Sequence, residues 1–428
     1  MPKPLKISLL TISVVLAFVL LAGGIGLRGV RAADVDGKGG AAQGAYSQID
    51  VYRQVLGHIQ SDYVTDPKLD VVTNGALRGL LEALDSESSY MSPEQYKAYK
   101  ADMAEGNASI GLTVAKRFGY ATIVAVQPQS PADKAGITDG DIIISLGKQS
   151  SHELPLALIR AMLNGKPGSN VTFSIVKPGT TKPVSYTLVR AVLTAPVLVD
   201  EKYDDGTVLY LKPGTLGHEQ VSQIEQKLKA MQKGTAKKVL LDLRDVTGGD
   251  MHEAVRLANF FLDKGKIGSL EGQTVQHEVF TADTAKAIAA NVPLAVLVNN
   301  GTAGPAELVA DALIENHRGD AVGERSFGEA SELKLIELPD GGALLLAVGK
   351  YDSPSGKPIA EDPAAPNVVV ATAAETAAAM ADEDDDEDDT AVHAPTTVTK
   401  PTAQKDDQLL RALDLLSEKH AVVVTPQS

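Results

Sequence analysis

The sequence predicts an α+β multidomain chain with a small helical N-terminal unit, a β-rich module, and an α/β domain on a mainly parallel sheet. Three observations carry that expectation. Residues 197–370 alternate strand-like runs (VLYLKPG, KKVLLDLRD, PLAVLVNN) with helix-like runs (EQVSQIEQKLKAMQ, GDMHEAVRLANFFLDKG, AELVADALIENH), the pattern of parallel strands joined by helices. Residues 106–190 instead set short strands and Gly/Asp turns around one amphipathic helix, SHELPLALIRAML (151–163). Ahead of both, residues 48–105 show helical spacing.

In chain order, Lys3 and Lys6 precede 7–27, a stretch without a charge that is long enough to span a bilayer core as a helix. Residues 1–32 are therefore expected to be an uncleaved single-pass anchor; cleavage near Val30-Arg31-Ala32 is the alternative. Residues 33–47, rich in Gly and Ala, are expected to be a flexible tether. In 48–105, Leu77, Leu80, Leu81 and Leu84 form a helical stripe, and Ser92-Pro93-Glu94-Gln95 opens another helix with a cap and a proline in its first turn. The β-rich module occupies 106–192 and the α/β domain 193–370, with KLIELP and GALLLAVGKYD expected as an antiparallel edge of its sheet. Residues 371–405 have the composition of a disordered acidic linker, and 406–420 form an amphipathic helix that should dock on the rest.

Composition excludes several classes of function. The net charge is −15, and eight of those charges lie in the run 381–390, which leaves −7 for the rest; neither part suits a phosphate backbone. With no Trp and few aromatics there is no platform for stacking bases, so no nucleic-acid partner is expected. The absence of Cys removes disulfides, thiolate catalysis and thiolate zinc sites. The eight histidines (58, 152, 218, 252, 277, 317, 393 and 420) show no metal spacing, and no metal or cofactor is expected.

Three motifs could carry chemistry. In VNNGTAGPAELVADAL (298–313) an apolar strand turns tightly into a helix, a place that can present a nucleophile, yet the centre of the turn is Gly304-Pro305. In LLDLRDVTGGD (240–250), Gly248-Gly249 either hold an anion on backbone N–H groups or only supply the dihedrals for a chain reversal. In SIGLTV, Ser109, Ile110, Gly111 and Leu112 either offer backbone donors to a peptide carboxylate beside a sheet edge or form an ordinary first strand.

Taken in order, these stretches resemble the carboxy-terminal processing peptidases, or tail-specific proteases, of bacteria and chloroplasts. The resemblance spans about 48–370 and rests on GALRGLLEALDSESSYMSPEQY (75–96), SIGLTV with SPADKAGITDGDIIISLG (130–147), LNGKPGSNVTFSI (163–175), LLDLRDVTGGDMHEAVRLANFF (240–261), LVNNGTAGPAELVADAL (297–313), VGERSFGEASEL (322–333) and KYDSPSGKPI (350–359). It implies that 106–192 is a PDZ domain gripping polypeptide C-termini and that the α/β domain has the peptidase fold. It also implies that Gly248-Gly249 match the oxyanion-side loop. In that family a Ser in Gly-Thr-Ala-Ser-Ala-Ser-Glu attacks the peptide carbonyl, a Lys in Phe-Gly-Lys-Gly takes its proton, and a Gln supports the Lys. Those three positions are Gly304, Glu329 and Leu333 here, while their flanks persist.

The resemblance therefore implies a serine-type peptidase fold in a catalytically degenerate member. Glycine offers no atom to form an acyl intermediate. Thr302 is a weak rescue candidate, as is a water activated by Glu329, and Lys334 is expected to face away from Glu329. Pro305 disfavours the α conformation at 304, so an altered elbow is expected. The expected function is binding of polypeptide C-termini by a protein in the bacterial inner membrane with its bulk in the periplasm, or secreted there after cleavage. Two alternatives remain: an active endopeptidase with relocated catalytic groups, and a structural assembly protein. Expected partners are C-termini or unfolded envelope proteins, an active relative, a second copy of the chain, and the membrane through the N-terminal helix.

Overall fold

The computed structural model describes residues 38–105, 107–371 and 406–421. The expected anchor (1–32) lies outside them, as does nearly all of the acidic segment. No helix among the described residues is long and apolar enough to cross a membrane. The chain divides after Thr73 into two compact units.

The first unit carries the helix Lys38–Asp62. Over 38–47 the helix replaces the expected tether, and 33–37 lie outside the described residues. The helical region expected over 48–105 is also not one unit. A further helix spans Leu69–Glu82, but its expected apolar stripe is not a core face: Leu81 is buried, while Leu80 and Leu84 are 59% and 66% exposed. Residues Ser89–Met91 form a strand instead. The capping signal at Ser92 is real: Gln95 N–H donates to Ser92 Oγ and Ser92 N–H to Gln95 Oε1 at the start of the helix Pro93–Glu105.

The β-rich module is a sheet in the order Leu112–Arg117, Tyr120–Val126, Ile142–Leu146, Asn170–Val176, Val184–Val189, all antiparallel. Its helix is shorter than expected, Leu156–Leu163, because Pro155 caps it and disfavours helix in the residue before it. Ile159 and Leu163 pack with Ile110, Val114 and Phe173 in the core of the module.

The α/β domain has a six-stranded sheet in the order Val199–Tyr203, Val208–Lys212, Lys238–Asp242, Leu294–Val298, Asp320–Gly323, Val368–Val369. It is parallel except at the first pair. The central strands Lys238–Asp242 and Leu294–Val298 are buried throughout, as apolar runs in a covered parallel sheet should be. The expected antiparallel edge is a separate sheet. Ser331–Glu337 and Ala343–Asp352 pair with each other, and the latter also pairs with Ser89–Met91 and Lys266–Glu271. A ten-residue strand, Ala343–Asp352, can bridge partners far apart in sequence, which no local pattern announces.

The C-terminal helix Asp407–Ala421 docks on the parallel sheet, burying Ala412 and Leu416 against Leu240 and Leu297. Arg244 fixes its start, donating to Asp242 at 2.7 Å and to Asp406 at 2.8 Å.

Candidate functional site

The strand Leu294–Val298 delivers the chain to a tight turn, and the helix Pro305–Glu315 leaves it. Gly304 caps that helix with φ 62° and ψ −122°, a conformation that costs any L side chain strain. The turn is sharp even with Pro305 in the first helical position, where its missing N–H is harmless. A Cβ at 304 would have room: its nearest neighbours would be the carbonyl oxygens of Glu329 at 3.4 Å and Thr247 at 3.6 Å. Both are acceptors, so neither could stabilise an oxyanion.

One buried carboxylate organises the turn. Glu307 accepts from Gly304 N–H at 3.0 Å, Glu329 N–H at 2.8 Å, Gly328 N–H at 2.6 Å and the Ser326 hydroxyl at 2.5 Å. It ties the elbow to the 326–329 segment. Burial pushes its acid up to about 7, against these four donors, which favour the charged form.

Thr302 is fully buried, donates to the Leu243 carbonyl at 2.9 Å and accepts Asn299 N–H at 3.0 Å. Its hydroxyl is committed to holding the turn. Glu329 Oε1 is ion-paired with Arg160, and its Oε2 is buried without a partner. Leu333 lies half-buried in the strand Ser331–Glu337, opposite Ala347, and exposed Lys334 opposite Leu346. Glu329 precedes that strand, so the expected alternation between Glu329 and Lys334 does not apply.

At the Gly-Gly turn, Leu216 and Gly249 form a parallel bridge, Leu216 N–H donates to Gly248 O at 2.8 Å, and Asp250 N–H donates to Leu216 O at 3.0 Å. A Cβ on Gly249 would meet Leu216 O at 2.5 Å. Close backbone passage therefore accounts for Gly249 without any ligand.

In the β-rich module Ser109 forms a bridge with Ala191, and Ile110 is fully buried. Gly111 has φ 84°, and a Cβ there would lie 2.2 Å from that of Ser130. Its N–H donates to Ser109 Oγ at 3.0 Å, so an incoming carboxylate would replace that hydroxyl. Leu112 begins the adjoining strand. A polar cleft of about 310 Å³ opens there, lined by Asn107, Ser109, Gly111, Gln127 and Asn164 among others.

Arg160 is the residue that the sequence reading missed. It sits on the helix Leu156–Leu163; its Nε donates to the Val114 carbonyl at 3.0 Å, and Nη2 meets Glu329. One guanidinium thus joins the strand Leu112–Arg117 to Glu329, the residue expected at the Lys position. The module also rests on the elbow itself. Ala115 and Val124 pack against Ala303 and Phe327, and Arg117 donates to the Phe327 carbonyl at 3.1 Å while stacking 4.4 Å above its ring. Thr113 and Thr247 share a hydroxyl contact of 2.9 Å. The only local signal for Arg160 was a charge inside an apolar helix, which ordinarily means a solvated face. Glu87 is a second omission: burial first, then the charge of Glu329, raises it to about 7 beside Arg160.

This is a PDZ module seated over the strand-to-helix elbow of a serine-peptidase fold. Residues 207–370 match peptidase family S41 and residues 108–188 match the PDZ domain. The chain is 30% identical over 335 residues to a carboxy-terminal-processing protease of Bartonella bacilliformis, covering 77% of this chain and 76% of that protein. It is 29% identical over 324 residues to the carboxy-terminal processing protease CtpA of Bacillus subtilis, covering 75% and 69%. The solved photosystem II D1 C-terminal processing protease shares the fold, with a TM-score of 0.62 at 23% identity over 75% of this chain and 86% of that one. The chain belongs to the carboxy-terminal processing peptidases of family S41.

A pH dependence follows from the elbow helix. Asp311 is buried one turn beyond Glu307, its Oδ2 has no partner, and burial followed by the Glu307 charge raises it to about 8. Glu315 and Asp362 add to the rise and Arg325 opposes it. A folded-state value above the unfolded one of 3.8 means that the folded protein holds the proton more tightly between the two. Stability is therefore full below the lower value and is lost as pH rises toward about 8. Asp311→Asn is expected to flatten the decline in urea stability between pH 5 and 8 by on the order of 2 kcal/mol. An unchanged slope would refute this.

Proposed function

We propose that this protein binds polypeptide C-termini through the edge of its PDZ strand Leu112–Arg117 that pairs with no other described strand, and has no Ser/Lys peptidase activity. The observation that supports the reading is the ion pair of Glu329 with Arg160, Glu329 being the residue that the resemblance sets at the Lys position as it sets Gly304 at that of the nucleophile. A carboxylate engaged by a guanidinium is a poor general base. Buried, doubly bonded Thr302 offers no substitute nucleophile. The polar cleft at Gly111 and the strand Leu112–Arg117 suit a peptide that adds as a strand with its carboxylate at the loop.

The purified chain should neither cleave an unstructured protein with an apolar tail nor form a covalent adduct with a serine-directed phosphonylating probe. Cleavage that disappears in Glu329→Ala, or in Thr302→Val, would overturn the reading. A peptide strand would compete with Arg160 for the Val114 carbonyl. Glu329→Gln, which removes the charge holding Arg160, is expected to tighten binding of a peptide with a free apolar C-terminus by about threefold to tenfold. Unchanged affinity would show that the peptide does not use this edge.

We further infer an inner-membrane anchor in 7–27 with the bulk of the chain in the periplasm, supported by the length and charge-free composition of that segment. Retention of the full-length chain in the membrane after carbonate washing tests it.

A further inference from the structure

We propose that a cleft at the hairpin-tip end of the strand Leu112–Arg117, sharing no lining residue with the polar cleft at Gly111, binds a carboxylate carried on an apolar group. The cleft holds about 360 Å³ and lies between the C-terminal end of the helix Leu69–Glu82, the segment after it, the hairpin tip at Phe118-Gly119, and Pro155-Leu156 at the start of the helix Leu156–Leu163. That volume suits a small ligand.

One half of the cleft holds two cations against the single carboxylate of Glu82. Lys116 is more than nine-tenths buried; its Nζ donates to Glu82 Oε1 at 2.8 Å and to the His152 carbonyl at 3.4 Å. An ammonium has three donors, so one is unused. Arg78 donates one hydrogen bond, Nη1 to the Glu153 carbonyl at 2.9 Å, and its Nε is buried without a partner, 3.9 Å from Glu82 Oε1. Two cations thus share one carboxylate. The other acid of the lining, Asp85, is turned into its own loop, where it accepts Glu87 N–H at 2.8 Å and the Ser88 hydroxyl at 2.7 Å. A buried donor without an acceptor is costly, and an anionic acceptor would recover that cost.

The other half is apolar. Leu84, Pro155 and Leu156 line it, with Phe118 at the rim. Phe118 is 99% exposed and has φ 51°, which is unusual for an aromatic residue. A ring held wholly in water at a strained turn adds nothing to the core of the module. As a residue of the cleft lining, it can close over an apolar guest. A carboxylate at the Lys116–Arg78 end with an apolar body under Phe118 satisfies both halves. Two sources offer that chemistry: a fatty acid, and the C-terminus of a polypeptide that ends in an apolar residue.

Equilibrium dialysis of the full chain against radiolabelled octanoate, against octanol, and against a short peptide ending in Leu as its acid or its amide separates the cases. Octanoate, the peptide acid, or both should bind saturably below about 1 mM, and the matching alcohol or amide at least about tenfold more weakly. Octanoate alone binding points to a lipid source, and the peptide acid alone to a polypeptide. Arg78→Gln and Lys116→Met should each weaken the bound acid by about tenfold. Phe118→Ala, at an exposed tip where it cannot unfold the chain, should weaken it by about threefold. Two outcomes overturn the proposal: no saturable acid binding, or binding that is the same in Arg78→Gln and Phe118→Ala as in the wild type. In the second, a peptide acid would belong to the PDZ edge instead.

Discussion

Restoring the family's three residues, Gly304→Ser, Glu329→Lys and Leu333→Gln, is expected to leave the chain unreactive toward a serine-directed acylating probe, and adding Arg160→Ala is expected to release slow acylation. The reason is the Arg160–Glu329 contact. A Lys at 329 would put an ammonium where the carboxylate now meets a guanidinium. Two like charges about 4 Å apart repel by about 4 kcal/mol at the effective dielectric of a protein surface. Either the PDZ helix is pushed away or the new Lys turns out of line, and neither leaves it poised as a base.

The serine itself is less of a problem. A Cβ at 304 would make only ordinary contacts, and the left-handed backbone there costs a non-glycine residue about 1–3 kcal/mol. The quadruple variant should therefore be acylated at least about tenfold faster than the triple. Equal rates, measurable or not, would mean that Arg160 does not control this site.

The order of domains was legible because it is written locally. Alternating strand and helix periods marked the α/β domain, Gly/Asp turns marked the β-rich module, and Ser92 and Gln95 marked a helix start that the structure shows bond for bond. The elbow was legible too, since a buried strand, a Gly-rich turn and a helix occupy one continuous stretch. What was not legible depends on partners distant in sequence. Arg160 and Glu329 lie in different domains, and in isolation each reads as a solvated charge. The strand Ser89–Met91 exists because Ala343–Asp352 passes beside it. The stripe through Leu80 and Leu84 has the right period but faces solvent, because helical periodicity defines an apolar face without saying that the chain covers it. The helix from Lys38 shows the opposite error: composition suggested a tether where the chain is helical.

Glu307→Ala should be the most destabilising single substitution in the elbow, by about 3–5 kcal/mol in urea unfolding. Four donors, from Gly304, Ser326, Gly328 and Glu329, converge on this carboxylate, and methyl-sized alanine leaves them facing a cavity. Glu307→Gln separates charge from shape. Its amide oxygen can keep one pair of donors, but its NH2 then confronts the other pair, so it should still lose about 2 kcal/mol. Because the same carboxylate anchors the backbone of Glu329, slackening it should also loosen Arg160. Hydrogen exchange at the Gly304, Gly328 and Glu329 amides should accelerate well before global unfolding. A loss under about 1 kcal/mol for Glu307→Ala, with these amides still protected, would mean that the turn is held by Thr302 and the helix alone, and that the elbow and the 326–329 segment are not one mechanical unit.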